Sequence, residues 1–250
     1  MDEFLEQYSA LSAFYDRLTF DVDYNEYAKG VDMFFKKHGI PGNLVLELAC
    51  GTGSLSIELG KLGYEMISCD ISPDMLSSAR EKCSELNCPP VFICQDMCEL
   101  DLYGTVDGCV CAIDSVNYLT ELWQLKAAFK RIALFMNKGG LFIFDVKSIS
   151  MFKELDGISS VWDDDDMFAA WQYGYDKKSM RAMHIVDVFV RTEGLYKRFE
   201  ETHYQRAYKA DKLKEVLKQS GFEIIGIYRD IFGAKAHAET GRLFFVAVKN

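Results

Sequence analysis

No apolar run in this chain approaches the ~20 residues that a membrane-spanning helix needs, so no transmembrane segment is expected. Basic charge is thin as well: the formal net charge is −10, the pI is near 5, and no stripe of Lys or Arg stands out. An acidic chain repels phosphodiester backbones, which favours small-molecule or protein partners and argues against nucleic acid. The opening residues Met1-Asp2-Glu3-Phe4 are acidic where a secretory signal is basic, so none is expected. Paired C-x-x-C spacing is missing among the 8 cysteines, all of which lie between Cys50 and Cys111. Cys69, Cys94, Cys109 and Cys111 instead alternate along expected strands, the pattern of buried free thiols in a reducing cytoplasm. Cys83, Cys88, Cys94 and Cys98 therefore make a poor zinc set, and no metal is expected. Internal repeats and low-complexity linkers are absent too. With 250 residues, 49% hydrophobic and 26% charged, the chain reads as one large domain or a domain carrying an insert.

What is present is a chain of strand and helix signals in alternation, the mark of a parallel sheet covered on both faces. Strands are expected near 43–48, 64–69, 90–95, 105–112 and 140–146, and helices near 54–62, 73–86 and 120–136. Ser72 as N-cap, Pro73 at the first helical position and Asp74 in the first turn give one clean helix start. Gly139-Gly140 reads as the cap and turn after the last of these helices. Two amphipathic patterns precede the sheet, over 5–18 (Leu5, Tyr8, Leu11, Phe14, Tyr15, Leu18) and 24–38 (Tyr27, Val31, Phe34, Phe35).

The densest signal is Leu44-Val45-Leu46-Glu47-Leu48-Ala49-Cys50-Gly51-Thr52-Gly53-Ser54, an apolar strand running into a glycine turn and a helix, with Asp70 closing the next strand. Glycines let the backbone approach a ligand, the helix start presents free N–H groups, and an acid at the second strand end can accept ribose hydroxyls. Two ligands compete for such a crevice. A dinucleotide turn wants G-x-G-x-x-G, and Ser56 holds the third glycine's place. Glu47, near the strand's carboxyl end, is unfavourable beside a diphosphate and favourable beside an ammonium and a sulfonium.

Glu47-x-x-x-Gly51-x-Gly53 with Asp70 resembles the first two motifs of class I S-adenosylmethionine-dependent methyltransferases, and the resemblance spans roughly residues 8 to 249. It implies an α/β fold, a doubly wound, mostly parallel seven-stranded sheet, with S-adenosylmethionine as cofactor and S-adenosylhomocysteine as product. Ala49 stands where the family often has a first glycine. The cofactor residues implied are Tyr15, Glu47, Ala49, Cys50, Gly51, Gly53, Asp70, Ile71, Met75, Asp96, Met97, Asp114 and Asn117. Gln95-Asp96-Met97 ends the third strand, where the family sets an acid against the adenine amino group. Asp96 can equally be a cap, and Ile71 and Met97 either sandwich adenine or belong to the core. Asp114-Ser115-Val116-Asn117-Tyr118 follows the fourth strand, at the methyl-donor end. Asp114 is read as a holder of the donor's ammonium or of the acceptor, and Asn117 and Tyr118 also suit a helix start. That segment has no proline, unlike the loop of enzymes that methylate amino groups of DNA bases. Tyr8 to Asp16 resembles an N-terminal cover whose aromatics close over the cofactor; Phe14 and Tyr15 can instead pack on the sheet.

Residues 148–208 break the alternation. Three strand-like runs, 167–176, 180–190 and 195–208, describe an antiparallel β insert over the carboxyl ends of the main strands, within an α/β domain made of 1–147 and 209–250. Helix 211–220 and strands 222–230 and 242–249 complete the main sheet, the last pair as an antiparallel hairpin. Acceptor-site candidates are Tyr118, Trp162, Trp171, Tyr173, His203, Tyr204 and Arg206, and the insert also offers a homodimer surface. Asp163 to Asp166 reads as a solvated loop. Methyl transfer from a sulfonium is an in-line displacement that mainly needs alignment and exclusion of water. A base is required only for a protonated acceptor; His203 and Tyr15 are the catalytic candidates, with a structural hydrogen-bonding role the alternative for His203. The reading is a cytoplasmic methyltransferase acting on a small molecule. Its rivals are an NAD(P)-dependent oxidoreductase and a non-catalytic S-adenosylmethionine-binding protein.

Overall fold

The computed structural model describes residues 11–84 and 86–250. A single helical turn, α1 (Tyr15–Leu18), follows a 3₁₀ turn at Ser12–Phe14 and leads to α2 (Tyr24–His38). Within the described part of the expected pattern over 5–18 the chain forms these two short turns, and Leu5 and Tyr8 lie outside the described residues. In α2, the Asp23 side chain accepts from Glu26 N and Gly39 closes the helix in the left-handed region at φ 68°.

The βα alternation then runs through β1 (Leu44–Leu48), α3 (Ser54–Lys61), β2 (Glu65–Asp70), α4 (Pro73–Lys82), β3 (Val91–Cys94), β4 (Val106–Cys111), α5 (Leu122–Leu134) and β5 (Met136–Lys147). These five strands pair in parallel. α4 starts on the Ser72 cap with Pro73 at its head but stops at Lys82 rather than running to residue 86. Gly139-Gly140 does not cap a helix. It lies within β5, where the register against β4 shifts between Val106 and Gly108 and Gly139 adopts φ 82°. A Cβ on Gly140 would stand 2.7 Å from Asp107 O, so the glycine pair is what lets the strand bulge there.

After a short α6 (Ile149–Leu155), four antiparallel strands form a second sheet: β6 (Ser159–Asp164), β7 (Met167–Asp176), β8 (Arg181–Thr192) and β9 (Leu195–Arg206). The sequence suggested three. β6 carries Ser-Ser-Val-Trp-Asp-Asp, largely exposed at a sheet edge, so it lacks the buried alternation that signals a strand. α7 (Ala210–Gln219) returns the chain to the main sheet, which ends with β10 (Phe222–Tyr228) and β11 (Arg242–Lys249). The seven-stranded order is β10-β11-β5-β4-β1-β2-β3, with β11 antiparallel to both neighbours. One face packs Leu46, Leu48, Phe142 and Phe144 against α5 and α7, and the other packs Val45, Val110 and Ile143 against α2 and α3. Among the described residues, no helix is long and apolar enough to cross a membrane.

Candidate active site

Two turns at the carboxyl ends of neighbouring strands define the site. The first follows β1. Gly51 and Gly53 take φ 52° and 75°, and Ala49 shares the left-handed region at φ 52°, the price of lacking the family's glycine there. Asp70 staples this turn to the end of β2: its Oδ2 accepts from Gly51 N at 2.8 Å and its Oδ1 from Ser72 N at 2.8 Å. Burial pushes the Asp70 carboxyl up, and the N–H groups of Ser72 and Gly51 oppose this. The carboxylate has acceptor capacity beyond these backbone bonds. Ile71 and Met97 are half-buried beside this point, Met75 is buried in α4, and Cys50 is buried with its thiol turned to Gly51 O. Asp96 Oδ1 accepts from Cys98 N at 2.8 Å. The bare turn, the acid with spare lone pairs and the flanking apolar side chains fit a nucleoside cofactor.

Glu47 is not poised as an open anion. It is buried between β1 and α3, where it accepts from Ser56 Oγ, and that hydroxyl meets Ser68 Oγ at 2.5 Å. Burial pushes its carboxyl up to about 8, with Asp70 adding to the rise, so it is mostly protonated at neutral pH. The choice of ligand therefore does not rest on a standing charge at position 47.

The segment Leu11–Phe20 straps this turn to the second sheet. Asp16 accepts from Thr52 Oγ1 at 2.6 Å and pairs with Lys82, which also reaches Ser54 Oγ at 2.9 Å. The Tyr15 ring lies 3.7 Å from where a Gly51 Cβ would stand. On the other side, Leu11 N donates to Glu201 Oε1 at 3.1 Å and Phe14 packs on Phe199 at 5.3 Å. Arg17 pairs with Asp164 at 3.0 Å and Asp166 at 2.6 Å. Of the acidic run 163–166, Asp163 and Asp164 end β6 and Asp165-Asp166 make the exposed turn to β7, where Arg17 docks.

The second turn follows β4. Ile113 and Asp114 adopt φ 53° and 49°, costly for two consecutive non-glycine residues and most of all for a β-branched one. Asp145 compensates: its carboxylate accepts from Ile113 N at 2.7 Å, Asp114 N at 2.9 Å and Tyr27 OH at 2.7 Å, and pairs with Arg242. Asp114 is itself held by Arg242 at 2.8 Å, Lys147 at 2.9 Å and Gln205 Nε2 at 2.7 Å. Burial would raise its carboxyl, but Lys147 and Arg242 hold it well below the usual range. Asn117 is equally committed. Its amide donates to Arg206 O at 2.8 Å and accepts from Lys147 N at 2.9 Å, joining β9 to β5.

On the inward face of the second sheet, Tyr173, His184 and His203 stand in one register across β7, β8 and β9. The two imidazoles stack at 4.8 Å, and Tyr118 meets His203 edge-on at 6.0 Å. His203 Nε2 is 3.2 Å from the buried Glu201. Tyr118, Tyr173 and His203 are therefore brought together. Trp162 stacks on Phe20 at 5.6 Å, Trp171 packs into the cluster around Leu11, and Arg206 donates to Thr120 O at 2.9 Å. Those three serve packing and joining rather than the acceptor cluster, and Tyr204 points outward and is exposed. Asp145, Lys147, His184, Gln205 and Arg242 were not singled out from the sequence. The available signals were an acid, Asp145, inside the apolar run 141–146 and a second histidine, His184, on a neighbouring strand.

Fold and turn together define a nucleoside-binding α/β protein with a sheet order that ends in an antiparallel hairpin. A family model described as a methyltransferase domain matches residues 45–140. The Bacillus subtilis (strain 168) protein named "Putative methyltransferase YqeM" is 32% identical over 97% of each chain. An S-adenosylmethionine-dependent methyltransferase from Clostridium acetobutylicum ATCC 824 superposes with a TM-score of 0.88 at 28% identity, covering 97% of this chain and 99% of that one. The S-adenosylmethionine-bound amino pentose methyltransferase CalS10 from Micromonospora echinaspora shares the fold, with a TM-score of 0.74 at 18% identity over 95% of each chain. The chain belongs to the class I S-adenosylmethionine-dependent methyltransferases, and its cofactor is S-adenosylmethionine.

Proposed function

We propose that this methyltransferase acts on a small-molecule acceptor approached from the insert side, with residues 148–208 as a lid over an α/β domain made of 1–147 and 209–250. The observation that carries this is the row Tyr173–His184–His203 on the insert sheet, which packs on Tyr118 beside the turn after β4. An insert sheet over the strand ends disfavours polymeric acceptors, and the net charge of −10 disfavours nucleic acid. CalS10, a fold neighbour, is named for a small acceptor, an amino pentose.

In this reading Asp70 holds the ribose, Ile71 and Met97 flank the adenine, Asp96 faces its amino group, and Tyr15 covers the donor. Glu47, Ala49, Cys50, Gly51 and Gly53 shape the turn beneath it. S-adenosylmethionine supplies an already activated methyl group, so the chain's work is alignment and exclusion of water. His203, oriented by Glu201, is the proton acceptor nearest the acceptor cluster. Eight free thiols among the described residues suit a reducing cytoplasm. The deciding experiment supplies S-adenosylmethionine and pools of small metabolites, and follows S-adenosylhomocysteine release by mass spectrometry. Turnover dependent on a small-molecule pool supports the reading; turnover only with RNA, DNA or protein fractions overturns it.

A further inference from the structure

The strap Leu11–Phe20 holds both halves of the molecule at once. On the α/β side, Asp16 accepts from Thr52 Oγ1 at 2.6 Å and pairs with Lys82, whose ammonium also donates to Thr52 Oγ1 and Ser54 Oγ, each at 2.9 Å. The neighbouring Tyr15 ring lies 3.7 Å from where a Gly51 Cβ would stand, so the strap covers the glycine turn. On the insert side, Arg17 forks onto both oxygens of Asp166, at 2.6 and 3.4 Å, and reaches Asp164 Oδ2 at 3.0 Å. Its guanidinium lies 5.9 Å over the Trp162 ring, on which Phe20 stacks at 5.6 Å.

The strap is held differently along its length. Leu11 is buried in the cluster under the insert sheet, and its N–H is bonded to the buried Glu201. At the other end the chain turns at Thr19–Val22 and enters α2 on the Asp23 cap. Between these anchors the clasp is electrostatic and open to water: side-chain exposure is 35% for Arg17, 47% for Asp164, 56% for Asp166 and 48% for Asp16. Exposed ion pairs contribute little to fold stability and weaken with salt, yet a bidentate fork fixes geometry well. Such a clasp holds a segment in place without making it costly to release.

We propose that the stretch between these anchors is a gate for cofactor exchange, with Arg17 on Asp164 and Asp166 as its latch. This rests on the methyl-transfer reading of the same site. While the latch is closed, Tyr15 and Asp16 stay over the turn after β1. When it opens they lift together, and the cofactor or its product exchanges. The acidic turn of the insert thereby sets the exchange rate, although it lies on the other sheet. The latch is made whether or not the site is filled, so loosening it speeds entry and departure alike and leaves affinity nearly unchanged.

The test measures both rate constants for S-adenosylhomocysteine on the full chain by surface plasmon resonance, at about 0.1 M and about 1 M salt. Arg17→Met keeps an apolar stem over Trp162 and removes the fork. It is expected to raise the association and dissociation rates together by about threefold to tenfold at the lower salt, with Kd moving less than about twofold. Asp164→Asn combined with Asp166→Asn should do the same, and the triple variant should be no faster than either, because all three changes remove one interaction. High salt should speed the wild type and hardly alter the variants. The Asp164 and Asp166 arm decides if Arg17→Met fails to fold. Rates indifferent to these changes, effects that add, or faster dissociation alone with a matching loss of affinity overturn the latch. No binding of S-adenosylhomocysteine to the wild type removes the methyl-transfer reading and the gate with it; binding with unaltered rates removes the gate alone.

Discussion

The turns after β1 and β4 lie at the ends of neighbouring strands and both enter the left-handed region, yet they are built in opposite ways. The first relies on composition: Gly51 and Gly53 reach φ 52° and 75° without a Cβ, and Asp70 needs only to staple a compliant backbone. The second relies on a remote carboxylate. Ile113 and Asp114 have no intrinsic liking for φ near 50°, and Asp145, brought in by β5, holds both N–H groups while Arg242 balances its charge. Glycine makes the first turn conformationally open to many sequences. Strain held by a buried ion pair makes the second fragile to single changes far from it in sequence.

The largest effect expected from breaking this contrast is therefore at Asp145. Asp145→Ala leaves Arg242 with Asp114 alone and strips the acceptor from two strained N–H groups and the Tyr27 hydroxyl, for a loss of about 3–5 kcal/mol in urea unfolding. A loss under about 1 kcal/mol would show that the second turn holds itself. Next in size is Asp70→Asn, which weakens the acceptor for Gly51 N and for the ribose together. S-adenosylhomocysteine affinity should fall about tenfold to a hundredfold by calorimetry, an expected 1.5–3 kcal/mol for hydrogen bonds to a charged group. Unchanged affinity would remove Asp70 from the site.

Glu47 sharpens the comparison through pH. Its carboxyl is raised to about 8 in the folded protein from an ordinary 4.5, so the folded state binds its proton more tightly than the unfolded chain does. Its contribution is fully present below about pH 4.5 and is lost as pH rises through about 8, with a slope of at most about 1.4 kcal/mol per pH unit. Glu47→Gln should remove that slope, so the variant gains in Tm relative to wild type between pH 5 and pH 8.5. Parallel Tm curves across that range would mean that the carboxyl is not buried as described. The smallest change is expected from Ala49→Gly, which relieves φ 52° and should be neutral to stabilising by about 1 kcal/mol. Clear destabilisation would place Ala49 in a packing role instead.

The same contrast explains what the sequence made legible. Gly51, Gly53 and Asp70 are local signals, a turn composition and a strand-end acid at fixed spacing, so turn and sheet could be read directly, while the cofactor class came from Glu47 and the family resemblance. The commitments of Asp114 and Asn117 depend on β5, β9 and β11 converging from distant parts of the chain, and no spacing announces them. Glu47 shows the limit from another side. Its position was legible, but its charge depends on burial beside Ser56 and Ser68, a property of packing. β6 went unread because an exposed edge strand has no buried face to impose alternation. His184 was passed over because histidine alternation within β8 says nothing until the register with His203 is known.

The most direct test of the account is calorimetric titration of the full chain with S-adenosylhomocysteine and, in parallel, with NAD. The structure predicts saturable one-to-one binding of S-adenosylhomocysteine, abolished or strongly weakened in Asp70→Asn, and no heat of binding with NAD. Saturable NAD binding, or S-adenosylhomocysteine binding indifferent to Asp70, would contradict it.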